Sequence, residues 1–211
     1  MQTLQFDQIE SVLCLGAHPD DIEIGCGGTL LKLLARATVD VTWVVFSGAG
    51  QRKQEAEQSA SAWLDSCRES RVDVLGFEDG HFPTQWREIK GAMKRLAEGC
   101  QPDLIFTHYG DDRHQDHRVI SELAWQEFRS HHILEYEIPK FEGDLGHPNF
   151  YVALDEPQLN RKLDWLMHFH NSQSTKHWFD EELFRGCARL RGVECASHYA
   201  EAFHARKVRF A

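Results

Sequence analysis

Apolar and polar positions alternate along this chain in blocks of two lengths. Short, nearly unbroken apolar runs occur at residues 11–17, 41–46 (VTWVVF), 72–75, 104–107, 133–138 and 151–154. Each is four to seven residues long, which predicts buried strands. The 41–46 run shows poor polar alternation, as expected of a strand covered by helices on both faces. Between them lie longer segments with a helical period. Residues 25–37 carry Leu30, Leu31, Leu33 and Leu34 on a broad apolar face. Residues 51–69 set Ala56, Ala60, Trp63, Leu64 and Cys67 against Lys53 and Glu57. Helices are also predicted over 85–98 (with Thr84 as a cap), 115–129, 156–169 (opened by Asp155-Glu156-Pro157) and about 179–191. The tail from Tyr199 to Ala211 has no strong period.

Strands alternate with helices at least to residue 154. That order predicts an α/β, three-layer fold with a mostly parallel sheet, right-handed crossovers and helices on both faces. No composition shift, linker, repeat or low-complexity stretch divides the chain, so residues 1–211 are expected to form one domain. In such folds ligands bind beyond the carboxyl ends of the strands. The polar segments His18–Asp21, Ser47–Gln51, Asp79–Gly80 and His108–His117 all follow predicted strands, so they should share one rim.

Charge and composition narrow the function. A net charge of −10 argues against nucleic acid and against an anionic membrane surface as partners. No apolar stretch is long enough to span a bilayer. The opening MQTLQFDQIE lacks the basic start and apolar middle of a secretory signal, and the six scattered cysteines form no C-x-x-C pair. A cytoplasmic protein with reduced thiols is the expectation. Thirteen histidines are many for this length.

Two segments on the expected rim carry chemistry: His18-Pro19-Asp20-Asp21 and His114-Gln115-Asp116-His117. Alone, the first reads as a helix cap with a surface acid and the second as a helix start; together on one rim they point to a metal. His18, Asp21 and His117 supply two imidazoles and one carboxylate, a three-ligand set that leaves a position for water on a zinc-type ion. Asp20 is then a spare carboxylate suited to general-base work. His114 is a spare imidazole placed to stabilise an oxyanion, with Asp116 as the partner that fixes its tautomer or keeps it protonated. Such a set hydrolyses amides or esters.

The stretch AHPDDIEIGCGGTL resembles the signature of the PIG-L/LmbE-like zinc-dependent N-deacetylases, and RHQDH resembles that family's second motif. Arg52 and Glu55, the Asp79 loop (FEDG), Ser172-Gln173, RLRG at 189–192 and YAEAF at 199–203 match further family positions, so the resemblance runs through roughly the whole chain. It implies a Rossmann-like fold and an N-acetyl group of an amino-sugar conjugate as substrate. It also implies metal ligation by His18, Asp21 and His117 and a general base at Asp20. His114 would stabilise the oxyanion with Asp116 beside it, and Arg52 and Asp79 would contact the sugar. Gln115 stands where many members have proline, and Asp112 where some relatives carry a tyrosine, so no tyrosine is assigned to catalysis. The cofactor implied is Zn2+, with Fe2+ or Co2+ compatible with the same ligands.

Other features have simpler readings. Gly25-Cys26-Gly27-Gly28 lacks phosphate-loop spacing and reads as close helix–sheet packing, with Cys26 a packed small residue. His168, His170 and His177 do not share a helix face and make a poor second metal site, while the segment from His170 to Gln173 is a candidate for pocket lining. Arg185, Arg189, Arg191, Arg206 and Lys207 form either a solvated, salt-bridged face or a contact for a nucleotide- or lipid-linked substrate. Two rival functions stay open: a sugar-binding or assembly protein without chemistry, and a hydrolase of another amide or ester on a related glycoside. A Rossmann methyltransferase is disfavoured by the carboxylates after the first strand.

Overall fold

The structure is a computed structural model that describes residues 9–36 and 38–209. The expectations for the first eight residues, for a helix reaching Ala37 and for the last two residues of the tail lie outside the described residues. Those described form seven strands: β1 (Ser11–Gly16), β2 (Asp40–Ser47), β3 (Ser70–Phe77), β4 (Leu104–His108), β5 (His132–Tyr136), β6 (Phe150–Leu154) and β7 (Tyr199–His204). The α-helices are α1 (Asp21–Leu34), α2 (Gly50–Trp63), α3 (Trp86–Gly99), α4 (Gln115–Glu127), α5 (Glu156–Phe169) and α6 (Glu181–Glu194). Phe82–Gln85 and Asn171–Gln173 are short 3-10 turns.

All strands lie in one sheet, ordered β3-β2-β1-β4-β5-β7-β6. The first five in that order pair in parallel, and β7 is antiparallel to both β5 and β6. The mostly parallel three-layer α/β fold is therefore present, but the tail contributes a strand that its sequence does not advertise. In β1, Val12 and Cys14 pack into one core and Leu13 and Leu15 into the other. The first core also takes residues from α1, α2, α5 and α6, and the second from α3 and α4. Successive side chains of a strand face opposite layers, so a strand buried on both sides must be apolar throughout.

Three predicted helix boundaries move. Helix α1 begins at Asp21, four residues earlier than its apolar period suggests, because residues 20–24 already close the first turn (Ile24 N to Asp20 O, 2.9 Å). Helix α2 stops at Trp63, and the segment 64–69 turns toward β3 instead of continuing to Glu69. Thr84 lies inside the first 3-10 turn, its hydroxyl donating to the His81 carbonyl (2.8 Å), and α3 starts after it. The start of α5 is as expected: Asp155 and Gln158 form a reciprocal capping box.

The glycine cluster acts through contact distance. A Cβ on Gly25 would fall within the Tyr136 ring of β5, and one on Gly27 would stand 2.6 Å from the Trp63 indole of α2. Nearby, the Gly28 and Thr29 amides donate to the Glu201 carboxylate of β7 (both 2.7 Å), while the Ile24 carbonyl accepts from Lys162 of α5 (2.6 Å). Lys162 and Glu201 pair with each other at 2.7 Å, so β7 and α5 satisfy polar groups within α1. Cys26 is fully buried in this packing. Gly25→Ala should lower stability by about 1–3 kcal/mol, seen as a lower thermal midpoint. An unchanged midpoint would mean that α1 does not depend on this close approach.

Candidate active site

Strands β1 and β4 are neighbours, with Cys14 opposite Phe106. From this pair the sheet order runs outward in opposite directions, which is the switch point where α/β folds open a crevice. His18 through Asp21 leave β1 there and enter α1. His114 through His117 follow β4 and open α4. The pairing thus brings together two motifs a hundred residues apart.

Each predicted site residue has a definite place. His18, Asp20, Asp21, Asp116 and His117 are buried; His114 and Arg52 are half-buried, and Asp79 is exposed. His18 Nδ1 lies 3.2 Å from His117 Nε2 and 3.3 Å from Asp21 Oδ2, and His117 Nε2 lies 3.5 Å from Asp21 Oδ1. Two ligands of a tetrahedral ion with bonds near 2.1 Å stand about 3.4 Å apart, and each pair among the three groups is near that spacing, Asp21 meeting His18 through Oδ2 and His117 through Oδ1. Among the described residues, His/Asp groups able to hold an ion are His18–His114–His117, Asp21–His108–His117 and His18–Asp79–Asp116. These groups share His18 or His117, and the members of the His18–Asp21–His117 set expected from sequence are divided between them.

The far sides of the imidazoles strengthen the case. His18 Nε2 faces Asp116 Oδ2 (3.0 Å) and Asp79 Oδ1 (3.1 Å), and His117 Nδ1 faces Asp112 Oδ2 (2.9 Å). A carboxylate accepts, so each of these nitrogens carries the proton, and the tautomers follow from the partners. The lone pairs of His18 Nδ1 and His117 Nε2 are then turned toward each other and toward Asp21. Three electron-rich atoms facing one point call for a cation. Burial opposes charge on His18, but hydrogen bonds to Asp116 and Asp21 outweigh it and hold its pKa well above the ordinary value. Burial and the His108 imidazole drive His117 the other way, to about 3.

Asp116 departs from its expected role. Its carboxylate accepts from the Gly80 and Phe82 amides (2.6 and 3.0 Å) and meets His18, not His114. Its backbone N–H instead donates to His114 Nδ1 (3.3 Å). This leaves the His114 proton on Nε2. Burial, followed by the neighbouring His18 charge, lowers the His114 pKa, which works against the protonated form expected.

Asp20 has a left-handed backbone (φ 100°, ψ −24°), which costs a non-glycine residue about 1–3 kcal/mol. Arg52 helps to fix it by donating to the Pro19 carbonyl (2.7 Å) and to Asp20 Oδ2 (3.4 Å). Burial pushes the Asp20 carboxyl up to about 6 against the pull of Arg52. Arg52 also reaches Asp79 Oδ2 (3.3 Å), so these two residues sit together on the open side of the site. A hydrogen bond with His18 brings Asp79 down to about 2.

Several participants escaped the sequence reading. Asp112 supports His117, and Lys140 in turn binds Asp112 (2.9 Å). His108 ends β4, stacks on His117 (ring centroids 3.9 Å) and lies 3.2 Å from Asp21. The only signals for them were a carboxylate two residues before His114 and a polar end to an apolar strand. Of the segment from His170 to Gln173 expected to line the pocket, His170 is buried and its Nε2 meets Glu23 Oε1 (2.9 Å). Neither His168 nor His177 joins it in a metal-binding group among the described residues. The C-terminal cations are salt-bridged or capped, as in Arg191–Glu137, Arg206–Glu135 and Arg185–Glu181.

Comparison with known proteins gives consistent matches. The family model described as "PIG-L: GlcNAc-PI de-N-acetylase" matches residues 13–128. The Escherichia coli K12 protein named "Uncharacterized deacetylase YaiS" is 27% identical over 146 residues, 62% of this chain and 75% of that protein. The N,N'-diacetylchitobiose deacetylase of Pyrococcus horikoshii has a similar structure, with a TM-score of 0.71 and 21% identity over 94% of this chain and 84% of that one. So does GalB, the 4-carboxy-2-hydroxymuconate hydratase of Pseudomonas putida KT2440, with a TM-score of 0.70 and 16% identity over 96% of this chain and 98% of that one.

A carboxylate behind a ligating histidine fixes its orientation and raises its basicity. Asp112→Ala is therefore expected to weaken Zn2+ binding by about 10- to 100-fold, measured by competition with a chromophoric chelator. Unchanged affinity would remove Asp112 from the support of His117.

Proposed function

This chain belongs to the PIG-L family of de-N-acetylases, and on that premise we propose that it is a metal-dependent N-deacetylase of an amino-sugar conjugate of the N-acetylglucosamine type. The observation that carries the reading is the convergence of the His18, Asp21 and His117 donor atoms, with an additional buried carboxylate, Asp20, in the next residue. His18, Asp21 and His117 would hold the ion, Zn2+ or in its place Fe2+ or Co2+. Such an ion lowers the pKa of a bound water toward about 7.

The chain's own residues supply the rest. Asp20 accepts the proton of the attacking water, which its burial beside Asp21 suits it to hold. His114 donates its Nε2 proton in a hydrogen bond to the oxyanion that develops from the acetyl carbonyl. Asp20 then returns its proton to the departing nitrogen, giving acetate and a free amine. Asp116 keeps His18 aligned through Nε2 and places His114 through its backbone amide. Arg52 and Asp79, at the mouth of the site, contact the sugar hydroxyls. A sugar-binding protein without chemistry would have no use for a buried, backbone-strained Asp20 at the centre of the rim.

The test is a panel of N-acetylglucosamine conjugates incubated with metal-loaded protein, with the free amine detected. Asp20→Ala should depress turnover by about 100-fold or more while metal content stays at the wild-type level. Near-normal deacetylation by that variant would end the base assignment. His18→Ala and His117→Ala should lose bound metal by elemental analysis, and full metal content in both would contradict the ligand set.

A further inference from the structure

His108 closes β4, and its imidazole is fully buried. The β1–β4 ladder ends at Cys14 and Phe106, while β1 runs on beside β2 to Gly16. Beyond Cys14, two side chains take over from that ladder. The Tyr136 hydroxyl of β5 donates to the Leu15 carbonyl (2.7 Å), and His108 Nε2 accepts from the Ala17 amide (2.9 Å). The Ala17 carbonyl accepts from Ser47 of β2 twice, from its amide (2.9 Å) and from its hydroxyl (2.8 Å). Both polar groups of Ala17 are thus pinned directly before His18, one by β4 and the other by β2.

The same imidazole reaches the second motif. It lies nearly flat on the His117 ring (centroids 3.9 Å, 18°). Accepting from Ala17 leaves the His108 proton on Nδ1, so the 3.2 Å approach of Nε2 to Asp21 Oδ2 is a contact and not a hydrogen bond. Asp21 Oδ2 takes its hydrogen from the His18 amide instead (2.6 Å). Nδ1 itself is buried with no hydrogen-bond partner among the described residues. Leaving such a group unpaired is costly, and a phenyl ring would fill similar space without that cost. What histidine adds over phenylalanine at this position is the Nε2 acceptor.

Resting on the metal-dependent reading above, we propose that His108 is a positioning residue of the metal centre. By accepting from the Ala17 amide it sets how His18 and Asp21 leave β1, and by lying on His117 it sets that imidazole against them. Its Nε2 lone pair is given to Ala17, so His108 acts through the ligands and not as one of them. Groups behind the ligands that fix their placement raise the affinity for the ion.

The experiment separates the acceptor from the ring. His108→Phe keeps a ring beside His117 but cannot accept, whereas His108→Gln keeps an acceptor and loses the ring. Zn2+ affinity is measured by competition with a chromophoric chelator, and the surroundings of the bound ion by the visible absorption of Co2+. His108→Phe should weaken Zn2+ binding by about 10- to 100-fold and alter the Co2+ spectrum, and His108→Gln should restore most of both. Ser47→Ala, which loosens the other polar group of Ala17, should lower the affinity by a smaller factor. If His108→Phe does not fold, an unchanged affinity in Ser47→Ala overturns the proposal in its place. A lower thermal midpoint of metal-free His108→Phe, with Zn2+ affinity and Co2+ spectrum unchanged, would make His108 a core residue only and overturn the proposal. So would a His108→Gln variant no better than His108→Phe. Wild-type protein that binds neither ion would end the metal-dependent reading and this proposal with it, whereas tight binding by wild type and variants alike ends the proposal alone.

Discussion

The pairing of β1 with β4 is the constraint on which the site rests. It sets Cys14 opposite Phe106 and so brings the loops after both strands to one point. Neither motif is complete without the other. His18 and Asp21 come from one side and His117 from the other, and their side chains approach pairwise within 3.5 Å, Asp21 through one oxygen to each imidazole. Hydrogen-bonding consistency then does the rest. Carboxylates occupy the outer nitrogens of both imidazoles, so the inner ones present lone pairs to a common centre. Burial makes that arrangement unfavourable without a positive charge, and the carboxylates around His18 hold its pKa well above the ordinary value.

The C-terminal half maintains that arrangement from a distance. Lys162 of α5 and Glu201 of β7 satisfy the Ile24 carbonyl and the Gly28 and Thr29 amides in α1. Glu23, one turn earlier, pairs with His170 and accepts from Ser59 (2.6 Å). The helix that starts with the site's carboxylates is thus held by a hydroxyl from α2, the His170 imidazole just after α5, and the ionic groups Lys162 of α5 and Glu201 of β7. Buried ion pairs are weak sources of net stability, but removing one partner leaves an uncompensated charge. They therefore act mainly to fix one arrangement of α1 against the sheet.

Legibility in the sequence followed how much of an element's environment was local. Strands β1, β2 and β4, buried on both faces, betray themselves as apolar runs, and the order of strands and helices implies the parallel core. Strand β7 does not, because YAEAFH places the buried Glu201 among small and aromatic residues and its partners β5 and β6 are distant in sequence. The two site motifs were legible because the spacing within each is short. The role of Asp116 was not, since proximity in sequence pointed to His114 whereas the start of α4 turns the carboxylate toward His18. Asp112, His108 and Lys140 have no motif at all; only the fold gives them meaning.

The fold by itself leaves the reaction open, because a chitobiose deacetylase and a muconate hydratase share it with this chain at nearly equal TM-scores. A cation centre that activates water would serve addition to a double bond as well as attack on an amide. What favours the amide is the surrounding equipment. Amide cleavage has to restore a proton to a poor leaving nitrogen, and on the proposed reading the buried Asp20 carboxylate carries it. It also develops charge on a carbonyl oxygen, for which a neutral histidine with its proton on Nε2 is a suitable donor. Asp20 and His114 stand at the starts of α1 and α4, each directly before a residue of its own motif. On the proposed reading both needs of amide hydrolysis are met by these two residues, and the β1–β4 pairing brings their segments together.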